Sequence, residues 1–272
     1  MKIDLSDKVI RAVVQEYTNA IVNFGSEEEL DFDVHKLIHT FQVLETAQDL
    51  IKLTQKPLSA KVKKQILNAA VLHDIGRCHE FKNGIPCKGF NHGSAGAAII
   101  KKYFPNLVVE SGCVKWHNLR PSDKDPANLF PVLNYVRDAD ILGNLRYNTL
   151  NMPIFVRHIL HLKADSNRSF ELSNEIRQAA FERRSCIYSK MEKFDFIDMA
   201  IVQLLWIYNI RTEAGFRYAK RFNVFKKFRD VAATEMLSLM KGTAAQKKKA
   251  AQDIMTLFPD SLFDEEFKRH GL

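Results

Sequence analysis

The sequence predicts an all-α protein. Apolar residues recur at three-to-four spacing through most of the chain, which is the rhythm of one buried helix face. Glycine, proline and polar clusters fall between the periodic stretches rather than inside them. No stretch alternates as a half-buried strand does, and no internal repeat is present. With 272 residues, 46% hydrophobic and 26% charged, the composition is that of an ordinary globular chain long enough to bury a sizeable core.

The elements follow in order. Val9, Ile10, Val13, Val14, Tyr17, Ile21 and Phe24 form the first apolar stripe, stopped by Gly25. Val34, Leu37, Ile38, Phe41, Leu44 and Leu50 form the second, which ends before Lys56-Pro57. Ser59 opens a third helix that runs to His73. A loop rich in Gly, Asn and Pro covers Gly76–Phe90, and helix resumes from about Ser94 to Phe104-Pro105. A short helix, Val108–Trp116, precedes the polar loop RPSDKDPAN, Arg120–Asn128. Helices are then expected over Leu129–Leu145, Met152–Leu162, Ser173–Lys190, Asp195–Phe222 and Asn223–Met240. Lys247–Lys249 sit in AAQKKKAAQD, read as a solvated helix face. No linker interrupts the chain. The expected organisation is a core over 1–165 and a helical extension over 166–272 packed on it as one structural unit.

Several function classes are excluded or weakened. No apolar run approaches the roughly 20 residues of a membrane span. The N-terminus, MKIDLSDKVIRAVVQEY, carries acids and an amphipathic rhythm rather than a secretory leader, so the expected location is cytoplasmic. Cys78, Cys87, Cys113 and Cys186 form no CxxC pair and read as free thiols. The net charge is +8, of which 1–150 contribute +2 (19 basic, 17 acidic) and 151–272 contribute +6 (21 and 15). A basic C-terminal half suits an anionic partner, but no nucleic-acid-binding motif accompanies it. Arg211, Arg217, Lys220 and Arg221 line a phosphate mouth or form a solvated basic face; the sequence does not choose. Nucleic acid is therefore not the expected partner.

Six residues carry the chemistry: His39, His73, Asp74, His92, His117 and Asp140. Each lies at a predicted helix end or beside apolar residues on a helix. A divalent metal takes imidazole nitrogen and carboxylate oxygen as ligands, and helical folds build such sites from side chains on several helices. Adjacent His73 and Asp74 point about 100° apart within a helix, so they can share an ion only at a helix end or bend. Gly76, two residues on, supplies that bend. His35 lies one turn before His39 and reads as structural or surface.

The ordered set resembles a known family. His39-Thr40-Phe41-Gln42-Val43 is similar to the opening motif of the HD-domain metal-dependent phosphohydrolases, and His73-Asp74-Ile75-Gly76 to their signature dipeptide and glycine. His92-Gly93-Ser94-Ala95-Gly96-Ala97, His117-Asn118 and Asp138-Ala139-Asp140 resemble the later motifs, so the order H…HD…H…H…D is kept over about residues 30–150. The resemblance implies a compact helical bundle around one or two divalent ions. It implies His39, His73, Asp74 and Asp140 as metal ligands, with Asp74 central to catalysis and, in two-metal members, bridging the ions. His92 and His117 are implied as ligands of a second metal, or as phosphate contacts or proton-transfer groups. Arg77 stands where many members carry lysine and some carry glutamate. It is expected to bind substrate phosphate, and it excludes a mechanism that uses that glutamate as base. The implied activity is hydrolysis of a phosphate ester or anhydride in a nucleotide or related small anionic molecule. The alternative is a catalytically inactive HD-like nucleotide-binding or signalling module. Fe, Mn, Zn, Co, Ni and Mg are not distinguished by such ligands, nor does the sequence name the substrate or the oligomeric state.

Overall fold

The structure, a computed structural model, describes residues 6–82, 85–87, 89–118, 131–156, 170–186 and 195–272. The chain divides into two compact units, Met1–Asn144 and Leu145–Leu272. The class is all-α, as the sequence predicts. The expected boundary near residue 165, the loop over Arg120–Asn128 and the helix ends at Leu162 and Lys190 lie outside the described residues.

In the first unit, α1 (Lys8–Val22), α2 (Glu27–Leu53), α3 (Ala60–Leu72), α4 (His92–Tyr103) and α5 (Val108–Trp116) are followed by α6 (Val132–Leu150), which runs on into the second unit. Short polar side chains start four of them. Asp7 accepts from the amides of Val9 and Ile10, Ser26 from Glu29, Ser59 from Val62 and Asn91 from Ser94. These caps satisfy amide donors that a helix start leaves without intrahelical partners. The Asn91 cap also starts α4 at His92, two residues before the expected Ser94, and so puts His92 in its first turn.

The unit's core joins Val9, Val13 and Tyr17 of α1 with Phe41 and Leu44 of α2, Val71 and Leu72 of α3, Ile100 of α4 and Val114 of α5. Ile75 belongs to it as well. Residues on both sides of His73-Asp74 are therefore anchored in apolar packing, which holds the polar pair in place. The expected α2 stripe is only half right. Phe41, Leu44 and Leu50 are buried, but Val34 and Ile38 are 39% and 42% exposed. Phe32, Asp33, His35, His39 and Val43 face inward instead. The helix is rotated to bring His39 into the interior, and local hydrophobic periodicity yields to that demand.

The loop expected over Gly76–Phe90 holds local structure. A 3-10 turn spans Ile75–His79, and β1 (Phe81–Lys82) pairs antiparallel with β2 (Ile85–Pro86). Two residues per strand are too few to leave a readable alternation in sequence. Gly76 departs from its expected role. Its φ is not positive. What it supplies is space: a Cβ there would lie 2.1 Å from the His92 carbonyl oxygen and 2.6 Å from the Gly96 amide nitrogen. The 3-10 turn thus packs backbone to backbone against the start of α4.

In the second unit, a helical segment over 152–156 is followed by α7 (Asn174–Phe181), α8 (Phe196–Leu204), α9 (Glu213–Phe222), α10 (Val224–Val231), α11 (Ala244–Leu257) and α12 (Asp260–Arg269). The single helix expected over Asp195–Phe222 is broken. After α8 the chain tightens into a 3-10 turn at Leu205–Asn209, Ile210 is extended, and Thr212 caps a new helix by accepting from the Gly215 amide. Asn223 adopts the left-handed conformation, which asparagine tolerates, and separates α9 from α10. Phe225, Phe228, Phe258 and Phe263 fill the core of this unit. Lys248 and Lys249 are exposed, as a solvated helix face requires. No helix among the described residues is long and apolar enough to cross a membrane.

Candidate metal centre

All six predicted residues meet in the first unit. His39 comes from mid-α2 and Asp140 from mid-α6. His73 caps the end of α3, Asp74 follows it, His92 opens α4, and His117 caps the end of α5. His73 keeps helical angles, whereas Asp74 has φ −105° and ψ 11°. This one-residue departure from the helix turns two adjacent side chains onto a common centre.

Asp74 is the hinge of the arrangement. Its Oδ2 lies 3.6 Å from His73 Nε2 and 3.9 Å from His39 Nε2. Its Oδ1 lies 3.5 Å from both His92 Nε2 and His117 Nε2. The two imidazoles in each half approach each other to 3.2 Å. Asp140 Oδ1 joins the first half, 3.1 Å from His39 Nε2 and 3.6 Å from His73 Nε2. Two groups able to hold an ion result, His39-His73-Asp74 and Asp74-His92-His117, both wholly buried.

Each half contains one histidine with a fixed tautomer. His73 Nδ1 donates to the Ala70 carbonyl and His117 Nδ1 to the Val114 carbonyl, both at 2.7 Å. Both bonds reach back three residues to a carbonyl left over at a helix end. With Nδ1 carrying the proton, Nε2 presents a bare lone pair to the centre, the form in which imidazole ligates metals. Bare nitrogens and carboxylate oxygens thus converge in a buried space, which is unfavourable unless a cation joins them. The donor set fits a divalent ion. His39 Nδ1 is buried with no hydrogen-bond partner among the described residues, so that ring is set by packing and by the approach of its Nε2 to Asp140 Oδ1.

Charge and burial tune these side chains. Burial lowers His73 from 6.5 to about 4 and His92 to about 2, which keeps both neutral. Burial works to raise Asp74, but Lys36, His73 and Arg77 outweigh it and hold the carboxyl well below its usual range. Burial likewise works to raise Asp140, and the His39 hydrogen bond and neighbouring His73 outweigh it. The signs fix a pH dependence for the metal-free protein. A histidine with a depressed folded value contributes stability that is complete above its unfolded value of 6.5 and is lost as pH falls towards 4. The two carboxylates lose theirs only further down, below 3.8. Denaturant unfolding of metal-free protein should show a loss of roughly 3 kcal/mol between pH 7 and pH 4 from His73 alone. Burial raises Asp33 to about 7, which works in the opposite sense, so the deciding measurement is on Asp33→Asn: a flat profile there down to about pH 4.5 would contradict the burial of a neutral His73.

Arg77 lies beside the centre, its Nε 3.4 Å from Asp74 Oδ1 and its Nη1 2.6 Å from Glu80 Oε2. His35 is buried but belongs to neither ligand group. Three supporting residues escape sequence reasoning. Tyr17 donates from its buried hydroxyl to the Asp74 carbonyl at 3.0 Å, Asn144 donates to Asp140 Oδ1 at 2.8 Å, and Lys36 donates to Asp74 Oδ2 at 3.0 Å. The spacing of Asn144, four residues after Asp140, is a readable signal for a helix neighbour. Tyr17 looks like one more member of an apolar stripe, and Lys36 like one more surface lysine.

Comparison with known proteins agrees with this geometry. The family model described as HD domain matches residues 37–145. Neither the curated proteins nor the solved structures contain a match to the chain. Members of the HD family are generally metal-dependent phosphohydrolases. The matched span contains every histidine and aspartate of the centre, and residues 37–145 of the chain are similar to the HD domain.

Proposed function

We propose that the protein is a divalent-metal-dependent phosphohydrolase that cleaves a phosphate ester or anhydride in a nucleotide or related small molecule. One observation carries the reading: a single buried carboxylate, Asp74, offers one oxygen to His39 and His73 and the other to His92 and His117. In this reading His39, His73, Asp74 and Asp140 hold the first ion. His92 and His117 hold a second one with Asp74. A histidine kept neutral as strongly as His92 is a poor proton donor, which favours the ligand role over proton transfer.

A divalent ion so held supplies a Lewis acid that acidifies water towards neutral pH and neutralises charge on phosphoryl oxygens. The chain's own residues supply position and exclusion. The core residues around His73-Asp74 keep the ligand geometry fixed before substrate arrives. Arg77, anchored by Glu80, is the proposed phosphate contact, because guanidinium groups bind phosphate oxygens in pairs.

The test is a turnover panel of mononucleotides, nucleoside triphosphates, cyclic nucleotides and dinucleoside polyphosphates. Each is supplied with Mn²⁺, Co²⁺, Mg²⁺ or, anaerobically, Fe²⁺. Ion-dependent hydrolysis of at least one class is expected. No turnover with any ion would overturn the reading and leave a binding module in its place.

A further inference from the structure

The second unit holds a cavity of its own, and every residue that lines it lies in that unit. Its volume is about 260 Å³. Pockets for drug-sized ligands begin at about 300 Å³, so the occupant this one fits is a small molecule. Arg146, Thr149 and Leu150 line it from the end of α6, and Phe222, Val224 and Lys227 from the junction of α9 and α10.

Helix spacing puts a cation beside an aliphatic residue on each side. Arg146 and Leu150 are four residues apart, and Val224 and Lys227 three, so each pair shares a helix face. Phe222 and Val224 are two apart and would point about 200° away from each other along an unbroken helix. Asn223, between them, takes φ 51° and ψ 40°, which ends α9, starts α10 and lets both neighbours line one cavity. Leu150 is 69% exposed, so the cavity keeps apolar surface open to a ligand.

Tyr218 is fully buried and braces two of the lining groups. Its ring centre lies 4.6 Å from that of Phe222, and its hydroxyl accepts from Arg146 Nη1 at 3.3 Å. A neutral acceptor orients a guanidinium without cancelling its charge. Lys226 pairs with Asp260 and Asp264, whereas the exposed Lys227 has no ion-pair partner among the described residues. No acidic side chain among the described residues lines the cavity. Two cations bordering one small space repel each other, and an anion between them removes that repulsion. Thr149 adds no donor, because its hydroxyl already bonds the Leu145 carbonyl at 2.7 Å. Ion pairing and apolar contact are therefore what the cavity offers.

We infer that this cavity binds a small amphipathic anion, a molecule with one carboxylate or phosphate head on an apolar body. The head pairs with Arg146 and Lys227, the guanidinium offering two parallel N–H donors. The body lies on Leu150, Phe222 and Val224. The site shares no residue with the metal centre and does not depend on the hydrolase reading.

The test is calorimetry on the full-length protein with four probes: octanoate, octyl phosphate, acetate and octanol. At least one of the first two should bind about tenfold more tightly than acetate, which lacks the body, and than octanol, which lacks the charge. The tighter of the two identifies the head. Lys227→Gln should weaken that ligand about tenfold, because one charge-assisted contact is lost. Leu150→Asp should weaken it by at least as much, because it places a negative charge against the ligand and removes apolar surface. Both positions are exposed, so the variants should fold, which circular dichroism checks. If either does not, Lys227→Ala or Leu150→Ser takes its place under the same criteria. Unchanged affinity in either variant would put the anion elsewhere, the metal centre included, and overturn the proposal. Amphiphiles that bind no better than acetate or octanol, or that do not bind, would overturn it too.

Discussion

Asp74→Asn is expected to remove both metal ions at once, whereas His92→Ala removes one. The asymmetry follows from the geometry of a single side chain. His39 and His73 face one carboxylate oxygen and His92 and His117 the other, so neither half is complete without Asp74. Asparagine keeps the shape but replaces one oxygen by a donor and removes the charge. The donor would face Lys36 or Arg77, and neither cation can accept a hydrogen bond. Activity should fall by roughly a thousandfold or more, if the metal supplies about 4 kcal/mol of transition-state stabilisation. The fold should survive, because the Asp74 carbonyl keeps its bonds from Tyr17 and from the Arg77 amide. Elemental analysis of the purified variants gives the stoichiometry, and circular dichroism confirms folding. One ion bound to Asp74→Asn with wild-type affinity would mean that the two halves do not share this residue.

What the sequence discloses about this centre depends on chemical type. Histidine and aspartate at the ends of apolar runs are legible, since ordinary packing gives little reason for them, and their order along the chain adds the rest. Supporting residues are not legible, because their types are common elsewhere. Tyr17 has the spacing of a core residue and is one, fully buried; that its hydroxyl also holds the Asp74 carbonyl depends on how α1 lies against the turn. The α2 stripe shows the opposite failure. Val34 and Ile38 have the right spacing and are exposed, because the position of His39 decides which face turns inward. The break after Leu204 is hidden for a third reason. Leu204, Leu205 and Ile207 are all buried, so apolarity continues across the point where helix geometry changes. The Thr212 cap is the only local signal of the restart.

Gly76→Ala is expected to cost stability and one metal ion together. The glycine is not needed for a left-handed turn, so the cost does not come from backbone conformation. It comes from contact. The added methyl would lie 2.1 Å from the His92 carbonyl oxygen and 2.6 Å from the Gly96 amide nitrogen, both backbone atoms that no rotamer change can move. Gly96 is itself closed in: a Cβ at that position would meet Val114 Cγ1 at only 2.8 Å, so α4 cannot simply slide past α5. Overpacking of this kind costs about 3 kcal/mol, and in a protein of this size it should lower the melting temperature by roughly 6–12 °C. Gly89→Ala is the control for the other mechanism. It has φ +72° and nothing within 4 Å of the added carbon, so the only cost is the left-handed conformation, about 1 kcal/mol. The functional consequence separates a local shift from general unfolding. His92 is the first residue of α4, and its Nε2 is 3.5 Å from Asp74 Oδ1. Pushing the start of α4 away withdraws His92, whereas His39, His73 and Asp140 lie on other elements. Folded Gly76→Ala should therefore keep the first ion and lose the second, and retention of both at wild-type affinity would show that the turn and α4 can separate without disturbing the centre.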